Sequence, residues 1–315
     1  MKAYHALVAA LAHREDGTPL ALFRILIGTT VFFELLLTRL SGSARFLWYP
    51  ASAGGFKPSA TTSHWLFHSL GGPTATNLDL VWAVGTAAAA MVAIGLGTRG
   101  FSALCLVCMQ AMFTLQPGSG GGHDRVITIA LFGLILATTD RTMSVACRVR
   151  TGRWTDSALV PAWPRYVGIW QLTVMYVFAG TAKLQPQWIP PGEMDAVYNM
   201  LLIPTWSRGS WEAWIAPLYP LTQLGSVITV LFESLWFIVP LALIWRATGR
   251  RLRFDPRPLF LGLGLVMHLT LWCLANLGPF SPITLSFYPL LFTGPELRRW
   301  RDRWWPRTSS AEHDS

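Results

Sequence analysis

Long apolar runs alternate along the chain with short stretches that hold most of the charge. The runs cover about residues 20–40, 78–97, 100–116, 126–139, 165–183, 221–245, 259–277 and 280–295. Crossing a bilayer as a helix takes about 20 mostly apolar residues. The pattern therefore predicts an all-α, polytopic integral membrane bundle of about eight spans. The third, fourth and eighth runs are short for a full crossing, so re-entrant or shielded helices are an alternative there. Gly118-Ser-Gly-Gly-Gly122 is the one low-complexity stretch.

Composition agrees with the pattern. Of the 315 residues, 52% are hydrophobic and 13% charged, where a soluble domain carries about 25% charged residues. The formal net charge of +9 would suit nucleic acid if it formed one basic face, but it is spread over short loops. In loops it sets membrane orientation. With the N-terminus inside, 18 lysines and arginines fall on the cytoplasmic side and four opposite, which predicts that both termini are cytoplasmic. The domain reading is then a cytoplasmic or interfacial segment (1–19) rather than a cleavable signal, a membrane domain (20–295), and a basic, disordered cytoplasmic tail (296–315). The implied setting is a multi-pass protein of the cell membrane, with the lipid bilayer as partner and no nucleic acid.

The two long loops, 41–77 and 184–220, are then external. Both are rich in aromatic residues, including Trp48, Tyr49, Trp65, Trp206, Trp211, Trp214 and Tyr219. Such side chains anchor at the headgroup level, and the loops either lie on the membrane or fold over the spans as a lid.

Ionisable groups at membrane depth call for a partner or a role. Lys183 ends the fifth run; it either snorkels to water or is kept as a base, since partial burial favours a neutral amine. Arg24 reads as structural, reaching inward or to another helix. Glu233 and His268 lie mid-span in successive helices, where contact between them would serve either packing or proton relay. Asp124 suits the N-terminus of the fourth run as a cap, with His123 beside it on the same side as Lys183. Cys105 and Cys108 form a CxxC inside an apolar run and read as buried hydrophobes before they read as a redox pair or metal site. No metal-binding, nucleotide-binding or GxSxG pattern occurs. Transport ranks last, because nothing signals inverted repeats with broken helices.

Several ordered pieces resemble one family. They are Leu20-Ala-Leu-Phe-Arg24-Ile-Leu-Ile-Gly28, Trp48-Tyr-Pro50 with Gly54-Gly-Phe56-Lys-Pro58, Gly95-Leu-Gly-Thr-Arg99, and Gly122-His123-Asp124 leading to Thr139-Asp-Arg-Thr-Met-Ser144. The most specific is Gln171 through Tyr176-Val-Phe-Ala-Gly180-Thr-Ala-Lys183-Leu with Trp188, followed by Glu233 before Pro240 and His268 before Leu277-Gly278-Pro-Phe280. Together they resemble the HTTM domain, the membrane domain shared with vitamin K-dependent γ-carboxylases. The resemblance implies carboxylase-type lyase chemistry in which Lys183 is the base toward reduced vitamin K or another quinol. It further implies His123 as partner, with Glu233, His268, Tyr176 and Trp188 around the cofactor and a substrate modified on the outer side. The length is nearer to small bacterial members than to full carboxylases, which carry a large extramembrane portion. Those small members include a partner in maturation of a secreted peptide toxin, so a non-catalytic role in maturing or exporting a secreted peptide is the alternative.

Overall fold

The computed structural model describes residues 8, 11–55, 64–115, 121–247, 249 and 252–304. The motif residues Phe56–Pro58, the glycine run from 118 to 120 and the tail from 305 lie outside these. The described chain is mostly helical. A two-stranded ribbon pairs β1 (Arg14–Asp16) antiparallel to β2 (Leu159–Pro161).

The main helices are α1 (Thr18–Leu40), α2 (Ala75–Ile94), α3 (Thr98–Phe113), α4 (Gly122–Leu136) and α5 (Trp163–Ala182). After them come α6 (Tyr219–Ser234), α7 (Ile238–Ala247), α8 (Arg257–Leu274), α9 (Phe280–Leu285) and α10 (Gly294–Trp304). Their ends follow local chemistry. Proline stands in the first turn of α1, α5, α6 and α8, where its missing N–H costs nothing. The Thr74 hydroxyl caps α2, which closes on Gly95 in the left-handed region, a conformation glycine adopts without strain.

Four helical stretches are long and apolar enough to cross a membrane: Thr18–Leu40, Ala75–Ile94, Glu212–Ala247 and Arg257–Leu274. α5 matches them in length but is less apolar, and α3 and α4 are shorter. Two expected spans are not single helices. The sixth breaks between Ser234 and Ile238, because Pro240 has no N–H to give to Trp236 and its ring crowds that carbonyl. So a broken helix, absent from the sequence expectation, does occur, directly after Glu233. The eighth run divides into α9 and a 3-10 turn, Tyr288–Leu291, since Pro289 likewise removes a helical donor.

α1 to α4 pack in sequence, α5 lies along α6, and α9 wedges against α1, α4 and α8. One end of the bundle gathers the segments expected inside. Glu15 pairs with Arg165 at 2.5 Å, and Arg246 and Arg257 both reach Asp255 and Glu296. Arg298 also bonds Asp16. These contacts, with Leu297 against the core, order residues 296–304 as part of α10, so this portion of the expected disordered tail is helical.

Arg24 is fully buried at the same end. It donates to Val92 O (3.0 Å), Ala93 O (2.9 Å) and Met143 O (2.5 Å), closing the C-terminus of α2 with a cation that suits the helix dipole. Gly95 is obligatory here: its φ is +75°, and a Cβ would strike the Arg24 guanidinium.

Candidate functional site

The C-cap residue of α5 is Lys183. Its Nζ donates to Glu233 Oε2 at 2.7 Å and to Ala179 O at 3.3 Å, and lies 5.4 Å from the centre of the Trp188 ring. The side chain of Lys183 is 24% exposed and that of Glu233 is 9% exposed. One partner therefore borders an open face while the other is enclosed.

Glycine makes the approach possible. A Cβ on Gly180 would stand 2.5 Å from Ser234 N and 2.9 Å from the Glu233 carbonyl carbon, so α5 and α6 meet backbone to backbone at this level. Beyond the pair, the helix Ala196–Leu202 packs on the earlier part of α6, and Ser226 Oγ accepts from Val197 N at 3.2 Å. The loop after Lys183 is thus folded back along α6.

Two helical turns before Lys183, Tyr176 presents its hydroxyl on the same face of α5. It is 2.7 Å from His268 Nε2 and 3.2 Å from the Tyr288 hydroxyl, and Ser281 Oγ lies 3.4 Å from His268 Nδ1. Tyr176 and His268 are essentially inaccessible. Phe232 packs edge-on against Tyr176, and the Trp236 ring centroid is 4.5 Å from it. Gly264, one turn before His268, leaves room for the Tyr288 hydroxyl, which a Cβ would strike.

The expected contact between Glu233 and His268 is replaced by two contacts with α5. Glu233 takes Lys183 and His268 takes Tyr176. Both partners come from one helix face, which links α6 to α8 through α5. Two buried donors in this region, Ser234 Oγ and Trp236 Nε1, have no hydrogen-bond partner among the described residues. A buried donor left so is costly unless a polar group reaches it.

His123 sits elsewhere on the bundle. Its Nε2 is 3.1 Å from Asp124 Oδ1, and Asp124 also accepts from Gly121 N at 3.0 Å, the capping role read from the sequence. The ring lies between Gly121 and Gly278, and Phe280 brings its own ring 5.7 Å from that of His268. The segment from Gly278 to Phe280 thus bridges His123 and His268. Among the described residues, the Lys183 ammonium meets Ala179 O, Glu233 and the Trp188 ring, and His123 is not one of its partners.

The match to known families is to the HTTM domain, over residues 12–294. The chain belongs to the HTTM domain family. Comparison with curated proteins and with solved structures returns no match. In this HTTM chain, Tyr288, Trp236 and Ser281 join the site without having been singled out from sequence. Tyr288 lies in a run that reads as one more span, so only its proline neighbour marked it as irregular. Gly180 and Gly264 carry a further signal, a small residue inside an apolar helix.

Proposed function

We propose that Lys183 and Glu233 form an acid–base pair of an HTTM membrane protein that acts on a quinol-like, lipid-soluble cofactor, to modify a substrate on the outer side of the cell membrane. The observation that carries this reading is the 2.7 Å contact between a partly exposed ammonium and an enclosed carboxylate. With the shared proton on Glu233, the Lys183 amine has a free lone pair and can accept a proton from a weakly acidic hydroxyl. Glu233 thereby serves as the proton's resting place, and Ala179 O holds the amine in position.

The residues present suit such a cofactor. Trp188 offers a flat apolar face beside the amine, and Ser234 Oγ and Trp236 Nε1 offer unused donors. A bound quinol would supply the acidic hydroxyl and the reactivity toward oxygen. His268, in contact through both ring nitrogens, holds Tyr176 in place and closes the inner wall.

A second reading has its own support. Trp214 is 73% exposed and Trp206 50% exposed on the loop after Lys183, a surface suited to a secreted peptide partner. On that reading the Lys183–Glu233 pair only compensates charge at membrane depth.

The test is turnover of reduced vitamin K, followed as epoxide formation under oxygen, by the purified protein in lipid nanodiscs. Loss of turnover in a folded Lys183→Met variant supports the first reading. Equal turnover in variant and wild type, with peptide maturation impaired only by changes at Trp206 and Trp214, supports the second.

A further inference from the structure

The end of the bundle opposite Lys183 carries a second site. A cavity of about 340 Å³ lies between α7, α8 and α10, lined by Arg246, Arg257, Arg299, Asp255 and Glu296, with Trp300 also on its wall. Both carboxylates are already taken. Arg246 bonds Asp255 at 2.8 Å and Glu296 at 3.0 Å, and Arg257 bonds each of them at 2.8 Å.

The surplus is positive. Arg299 faces the cavity, and Arg303 follows one turn later on the same face of α10. Arg253 lies on the loop that carries Asp255. None of the three has a carboxylate partner among the described residues. By contrast, Arg298 is bound to Asp16 and Arg301 to Asp302. Large apolar side chains stand beside the free arginines: Trp300 is 51% and Phe254 66% exposed. Free guanidinium groups interleaved with exposed aromatic rings match a headgroup region, where phosphate takes the forked donors and the rings sit at the acyl boundary.

We propose that this face binds the phosphate of an anionic phospholipid, with Arg299 and Arg303 as its main ligands and Trp300 as its apolar contact. The inference rests on α10 lying at a bilayer surface and is independent of any chemistry at Lys183.

The experiment uses the full chain in nanodiscs of phosphatidylcholine, with or without phosphatidylglycerol, read by thermal unfolding and by native mass spectrometry of retained lipid. Phosphatidylglycerol is expected to raise the unfolding temperature and to be retained several-fold over its bulk share. Arg299→Gln with Arg303→Gln should abolish both effects, while Arg301→Gln leaves them intact. Inorganic phosphate added to phosphatidylcholine discs should not reproduce the stabilisation. The proposal is overturned if the double variant responds as the wild type does, if phosphatidylglycerol has no effect, or if inorganic phosphate suffices, which would mark a free-anion site instead.

Discussion

Lys183 Nζ and Glu233 Oε2 are 2.7 Å apart where Gly180 lets α5 and α6 touch. Removing one partner strands the other's charge, which for a buried pair costs about 3–5 kcal/mol. Replacing both by apolar groups of similar size removes the charge altogether and is often neutral. Lys183→Met and Glu233→Leu are therefore each expected to lower thermal stability in nanodiscs, with the larger loss for Lys183→Met because Glu233 is the more enclosed. The double variant is expected to unfold near the wild-type temperature.

Gly180→Ala tests the close approach itself. The added methyl meets backbone atoms of Ser234 and Glu233, which cannot rotate away, so the helices must separate. A loss of about 1–3 kcal/mol is expected for such overpacking. Turnover should fall further than stability does, because the separation lengthens the Lys183–Glu233 contact.

Arg24→Met leaves the carbonyls of Ala93 and Met143 without their side-chain donor, while Val92 O keeps the Gly95 N–H at 3.1 Å. A destabilisation of about 1–3 kcal/mol is expected for each carbonyl so left unpaired. Arg24→Lys should recover only part of it, since an ammonium cannot reproduce the planar fork. Thermal unfolding of the two variants side by side measures the difference.

Acid should release α10 from the start of α1. Burial works against the Asp16 carboxylate, but hydrogen bonds from Thr18 and Arg298 outweigh it and hold the carboxyl below its usual 3.8. A lowered folded value means that Asp16 adds stability above the ordinary carboxyl range, and that this is lost as pH falls through the lower folded value. Protection against hydrogen exchange in residues 294–304, taken relative to the intrinsic rate at each pH, should therefore fall on acidification below about pH 4. In Asp16→Asn it should already be lowered at neutral pH.

The helical class and the family are legible in the sequence because both rest on local signals: apolar runs, proline and glycine punctuation, and ordered motif pieces. The pairing inside the site is not. Lys183 read as a rim residue and Glu233 as mid-span, and a long loop separates their helices, so nothing local set the register between them. Arg24 was recognised as structural, but its partners are backbone carbonyls, which carry no sequence identity. Tyr288 was hidden in a run whose apolar character suggests a span, while Pro289 turns it into a 3-10 segment that aims the hydroxyl at Tyr176.

The most direct measurement is the four-member cycle of wild type, Lys183→Met, Glu233→Leu and the double variant, assayed for epoxide formation from reduced vitamin K in nanodiscs. Two residues that act as one acid–base unit are strongly non-additive. The account predicts that each single variant loses most of the turnover, and that the stable double variant loses no more than either. Wild-type turnover in the folded double variant would contradict it.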